Sequence, residues 1–141
     1  MTKEPFMKFA IFLLAFGAVQ DKPKGLLIKR SEVMKRAPDA DLGPAKTWIV
    51  ERTDEVQSML IQIDGTIPMH AHPDGVHRMY VIEGKLRVTI EDETKDLEPG
   101  DYIMIPKNAK HQVQGKGIYA SVDTPPVDAK KIIWVDPPPK K

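Results

Sequence analysis

The sequence predicts one all-β domain of sandwich or barrel type, and three observations carry that prediction. Apolar residues recur at every second position in several short runs. Those runs are bounded by glycine, proline and acidic turn residues at close spacing. Thirteen prolines in 141 residues argue against a helical bundle, because proline interrupts helices but is tolerated in turns and at strand edges. A chain of this length can build one domain with a proper core and is too short for two ordinary ones.

At the amino end, Lys3 and Lys8 precede a run without charge, Phe9 to Val19, which gives way to the polar Gln20-Asp21-Lys22-Pro23-Lys24. The run is short for a bilayer span but matches the apolar core of a secretory signal, with cleavage after Gly17 or Gln20. Residues 1–20 are therefore expected to be a removable leader and the protein periplasmic or secreted. The alternative is a cytoplasmic protein with an apolar segment packed on its domain. Residues 21–46 form an arm with the apolar run Leu26-Leu27-Ile28 and a brief helix from Ser31 through Met34 to Arg36, ended by Pro38.

Strands follow at Trp48 to Val50 and Val56 to Ile63, where Met59, Ile61 and Ile63 alternate with Leu60, Gln62 and Asp64. Met79 and Val81 alternate with Arg78 and Tyr80, and Leu86, Val88 and Ile90 with Arg87 and Thr89, which predicts a hairpin about Glu83-Gly84-Lys85. A turn at Asp92 to Lys95 leads past Glu98-Pro99-Gly100 to a strand from Tyr102 to Ile105, ended by Pro106. After His111-Gln112-Val113, Gly115 and Gly117 predict another hairpin into Ile118 to Val122. Thr124-Pro125-Pro126 closes the core, so the barrel proper is read as 47–124. Residues 125–141 hold an edge strand from Lys131 to Val135 and an extended proline-rich tail. Trp48 and Tyr102 are read as packing residues.

The net charge of +1 comes from interspersed charges without a basic stripe, which excludes the usual footprint of a nucleic-acid binder. Absence of cysteine excludes disulfides, thiolate metal sites and cysteine nucleophiles. With its leader removed, the chain is not expected to be embedded in a membrane.

The four histidines carry the chemistry. His70 and His72 stand at i and i+2, so on a strand they share one face roughly 7 Å apart at the backbone. Pro73-Asp74-Gly75 has the composition of a tight loop, which would fold His77 back beside them. Imidazole is the commonest protein ligand for transition metals.

His70-x-His72, four residues, His77, six residues and Gly84 resemble the first motif of the cupin superfamily. Gly100, five residues and Pro106-x-Asn108-x-x-His111 resemble its second. The resemblance runs from about Trp48 to Val122 and implies a cupin jelly-roll β-barrel, with His111 entering the mouth from a second strand. It implies a mononuclear site in which His70, His72, His77 and His111 hold one divalent transition metal: Fe, Mn, Cu, Ni or Zn. The chain departs from the family pattern twice. Asn108 replaces a glycine, which is mild because asparagine tolerates left-handed backbone geometry. His77 replaces a glutamate, which leaves the ion with an all-neutral shell that favours an anionic ligand.

That replacement also removes a carboxylate that some cupin oxygenases are thought to use as a base. Metal-bound hydroxide, Glu83, Asp74 and Tyr80 are the substitutes to weigh. Alternation puts Glu83 about 20 Å along the strand from His77 and Tyr80 on the opposite face, while Asp74 belongs to the turn. Met59, Met79 and Met104 are candidates to line the cavity as substrate contacts, against the plainer reading of ordinary core. The function expected is a metal-binding cupin acting as an oxidoreductase of dioxygenase type on a small anionic or enolisable molecule. The alternatives are a non-catalytic periplasmic sensor or ligand-binding cupin and a metal-dependent isomerase or hydrolase. A homodimer is expected from the resemblance and from the spare strand near Ile132 to Val135.

Overall fold

A computed structural model describes residues 24–140; the expected leader at 1–20 lies outside the described residues. The order of elements is α1 (Arg30–Val33), β1 (Ala40–Asp41), β2 (Ala45–Arg52), β3 (Gln57–Ala71), β4 (Val76–Ile90), β5 (Glu93–Leu97), β6 (Tyr102–Ile105), β7 (His111–Thr124) and β8 (Ile133–Trp134). A single 3-10 turn, Ala129–Lys131, precedes β8. All pairings are antiparallel, in the order β1-β2-β3-β7-β4-β5, with β6 added to β4 and β8 to β3. The expected all-β jelly roll is what the chain forms. No helix among the described residues is long and apolar enough to cross a membrane.

Three long strands carry the molecule. β7 lies between β3 and β4 and pairs with both along most of its length. Two expected hairpins are absent as a result: β4 runs unbroken through Glu83-Gly84-Lys85, and β7 runs unbroken through Gly115 and Gly117. Those glycines bring strands together instead of reversing them. Gly84 faces Gly117, and Gly65 faces Gly115. A Cβ on Gly84 would strike the Lys116 carbonyl, one on Gly117 the Glu83 carbonyl, and one on Gly115 the Lys85 carbonyl. Only bare backbone fits where the strands cross so closely.

Irregularities in the ladders keep one face inward around the curve. On β4, His77, Met79 and Val81 face the interior at odd positions, then Leu86 and Val88 at even ones, and the register shift between Val81 and Glu83 makes the exchange. On β3, Ile61, Ile63 and Ile67 are buried before the shift between Ile67 and His70, and His70 is buried after it. A bulge inserts one residue and so reverses the two-residue phase. The core that results joins these residues to Ile103 and Ile105 of β6 and to Val113 and Tyr119 of β7.

Several smaller expectations are corrected. The helix runs from Arg30 to Val33, with Lys29 as its N-cap, so Ser31 lies inside it. The turn after β4 is Glu91-Asp92, since Ile90 pairs with Glu93. Tyr102 is 58% exposed, opposite the half-exposed Tyr80 on the outer face, and is not a packing residue. Trp48 is one: it faces outward from β2 and is covered by the arm, its indole N–H donating to the Arg36 carbonyl at 3.0 Å. The spare strand is reduced to Ile133–Trp134, and it pairs along one edge with β3 of its own chain at His70 and Ala71.

The glycine contacts predict a graded response. Gly117→Ala should lose about 3 kcal/mol or more of stability because the new methyl meets backbone that cannot step aside. Gly100→Ala, where φ is +97° with open space around it, should lose only about 1–2 kcal/mol. Urea unfolding of the two variants checks the order.

Candidate metal centre

β3 delivers His70, the turn after it delivers His72, β4 delivers His77 at its start, and β7 delivers His111 as its first residue. His111 pairs with His70, whereas His77 pairs with Asp123, twelve residues further along β7. On a straight strand that separation would be about 40 Å. Because the strands curl, the rings of His77 and His111 lie 5.6 Å apart between centroids. His70 and His111 are 4.3 Å apart, His70 and His72 5.0 Å, and His72 and His77 5.2 Å. The four sequence-predicted histidines thus form one cluster, with Trp134 of β8 against His70 at 5.0 Å.

Hydrogen bonds select which nitrogen faces the centre. His70 Nδ1 lies 2.7 Å from the Pro68 carbonyl, and His111 Nδ1 lies 3.0 Å from the Ala109 carbonyl. A carbonyl only accepts, so both rings carry their proton on Nδ1 and turn an Nε2 lone pair inward. His111 Nε2 is buried without a partner, and so is His72 Nδ1. His70 Nε2 meets His72 Nε2 at 3.1 Å. Ligand atoms of His70, His72 and His111 all fall within 4.8 Å of one another. Buried ring nitrogens crowded this closely, with His111 Nε2 left unpartnered, fit a cation, which satisfies them all at once.

Burial keeps these imidazoles neutral, the form a metal needs. Desolvation lowers the pKa of His70; desolvation, reinforced by His77 and His70, brings His72 to about 3; desolvation, reinforced by His70 and His77, brings His111 to about 2.

The residue that sequence reasoning missed is Asp123. It is 1% exposed, and its Oδ1 accepts from His77 Nδ1 at 2.5 Å, with Ser121 Oγ 3.3 Å from the same nitrogen. A ligand atom of Asp123 also groups with those of His72 and His77 within 4.8 Å. The carboxylate absent from position 77 is present on the facing strand. A signal for it existed: His111, Val113, Tyr119, Ser121 and Asp123 all fall at odd positions of β7 and are all buried. Reading a hairpin at Gly115 and Gly117 interrupted that count.

The other candidates are placed elsewhere. Glu83 is exposed and paired with Arg30 at 2.5 Å, and Asp74 is paired with Lys131 at 3.2 Å. Of the three methionines, Met59 lines the cavity described below. Met79 is fully buried in the core. Met104 is 52% exposed, because Ile103 and Ile105 take the inward positions of β6, and it cannot be a cavity contact. Asn108 has φ +63°, the left-handed geometry expected of it.

The cavity of about 450 Å³ in front of the histidines is mainly apolar, with Ala45 and Ile49 of β2, Ile61 and Ile67 of β3, and Trp134 on its walls. This size suits a small molecule. Tyr119 also faces it, its phenol held protonated because burial, reinforced by Asp123, raises its pKa.

Two outcomes follow. Metal-free protein should hold its stability above about pH 7 and lose it below about 6.5. In that range the unfolded chain takes up protons that His70, His72 and His111 refuse, with a slope of up to about 1.4 kcal/mol per pH unit for each; His111→Gln should give a shallower slope in urea titrations at pH 7.5 and 5.5. Asp123→Ala removes the buried partner of His77 and should cost about 3–5 kcal/mol, read from the shift in urea midpoint.

A model of the cupin domain family matches residues 57–122. No curated protein matches the sequence. Among solved structures, KdgF from Halomonas sp. aligns at 20% identity with TM-score 0.63, over 69% of this chain and 94% of its own. An RmlC-like cupin from Shewanella frigidimarina aligns at 22% identity with TM-score 0.62, over 73% and 93%. Pac13 of Streptomyces, described as a nucleoside dehydratase, aligns at 11% identity with TM-score 0.63, over 68% and 82%. Residues 57–122 of the chain thus carry the match to the cupin domain family, on the jelly-roll fold that these solved structures share.

Proposed function

We propose that the protein is a mononuclear metal-dependent cupin enzyme, an oxidoreductase of dioxygenase type acting on a small anionic or enolisable substrate. The observation that carries this reading is the convergence of ligand nitrogens of His70, His72 and His111 within 4.8 Å of one another, with His111 Nε2 buried and unpartnered, at the wall of a mainly apolar cavity. His77 joins them as a fourth ligand: with Nδ1 committed to Asp123 it presents Nε2, the tautomer that His70 and His111 also adopt. A divalent transition ion would supply Lewis acidity and, if redox-active, a route for electrons to dioxygen. The protein's own part is to present neutral ligands, exclude bulk water with the apolar wall, and hold substrate against the cluster. We also propose an exported location, on the strength of the apolar run at Phe9 to Val19.

One observation favours a second reading, metal-assisted isomerisation or hydrolysis. Asp123 puts a buried carboxylate beside His72 and His77, the kind of group such reactions use, and fold relatives include a nucleoside dehydratase. The two readings differ in oxygen consumption. Elemental analysis of purified native protein should find about one transition ion per chain. Oxygen uptake with a panel of catechols, diketones and hydroxy acids supports the first reading; turnover without uptake supports the second; metal without turnover leaves a binding protein. Affinity for transition ions weaker than about micromolar would remove the basis of all three. His77→Glu should retain metal and lower the preference for anionic ligands.

A further inference from the structure

From the cavity's geometry we infer that Arg52 is the anchor for the anionic group of the substrate, so that the molecule taken up is a small monoanion, a carboxylate by size and geometry, with an apolar body. This inference rests on the proposed use of the histidine cavity and names the class of molecule that enters it.

Arg52 ends β2 and lines the same cavity as the four histidines. Its position is a consequence of the ladder. Ala45, Thr47 and Ile49 face the cavity at odd positions, and the register shift between Ile49 and Glu51 reverses the phase, which brings Arg52 at an even position to that side. The side chain is also held. Gln57, 4% exposed and directly opposite on β3, accepts a hydrogen bond from Arg52 Nη1 at 2.8 Å, while its own amide nitrogen lies 2.8 Å from Met59 Sδ. A buried glutamine fixed at both ends sets the direction of the guanidinium and uses one of its five N–H groups.

Charge bookkeeping then singles the residue out. The other formally charged residue on the cavity wall, Asp39, already accepts from the Ile49 N–H at 2.6 Å and faces Arg36 at 3.6 Å. Arg52 makes no ion pair among the described residues. Among the charged side chains that line the cavity, the Arg52 guanidinium is therefore the positive charge that an entering anion meets. Its planar fork matches a carboxylate in a bidentate pair. The mainly apolar wall accepts the rest of the molecule and repels a highly charged one. Register ties this anchor to the reacting end: Arg52, Gln57, Asp123 and His77 are successive cross-strand partners on β2, β3, β7 and β4.

The test uses benzoate and its neutral isostere benzamide as probes, titrated calorimetrically at pH 7.5 into full-length protein, both metal-loaded and treated with chelator. Wild type should bind benzoate about tenfold more tightly than benzamide, a ratio that one charge-assisted pair supplies, and should keep that preference without metal. Arg52→Gln should abolish it while leaving benzamide affinity in place, and Arg52→Lys should retain part of it. Should Arg52→Gln fail to fold, 1 M salt on wild type provides the second measurement and should shrink the ratio. The inference is overturned if wild type does not discriminate, or if Arg52→Gln keeps the wild-type ratio. A preference that chelation abolishes and Arg52→Gln spares would assign anion binding to the metal and also overturn it. Metal content is measured on the same preparations, so a protein without metal affinity would refute the proposed function while the ratio still decides the role of Arg52.

Discussion

Close approach of backbone to backbone at Gly84, Gly115 and Gly117 is the constraint on which the rest of this molecule depends. β3, β4 and β7 are each long enough to span far more than the width of the domain, so each must serve both walls of the barrel. That requires strands to cross where no side chain fits, and the carbonyls of Glu83, Lys85 and Lys116 occupy the space a Cβ would need. The curl sets His111 and His77, at pairing positions twelve residues apart along β7, within one ring cluster.

Bulges complete what the glycines begin. A curled strand with strict alternation would turn its apolar set outward partway along, and β2, β3 and β4 each correct this with a one-residue shift. Two of the three lie beside a side chain that lines the cavity. The shift on β3 immediately precedes His70, and the shift on β2 immediately precedes Arg52. The irregular positions are therefore where the barrel trades ladder hydrogen bonds for the aim of a side chain.

The electrostatics of the cavity follow from that placement. Burial suppresses protonation of His70, His72 and His111, so three imidazoles are ready as ligands across the ordinary pH range. Asp123 on the facing strand returns, at one remove, the carboxylate that position 77 lacks, and it holds the His77 ring. An all-imidazole set in a mainly apolar wall, with a guanidinium across from it, forms a site polarised towards an anion. His77 on β4, Asp123 on β7 and Arg52 on β2 all lie on one line of cross-strand register, with Gln57 of β3 between Arg52 and Asp123.

By itself the sequence determined the all-β class and the two histidine motifs. Period-two burial and imidazole chemistry are local properties, legible from a few residues at a time. Left-handed geometry at Asn108 was legible for the same reason. The tertiary structure alone decided that Gly84, Gly115 and Gly117 mark crossings and not turns, because a glycine serves either role and only the neighbouring strand tells which. It also decided the inward aim of His70 and Arg52, since a bulge leaves no compositional mark, and the meeting of His77 with Asp123. That contact joins residues 46 apart, and it exists because β7 runs unbroken between two partners.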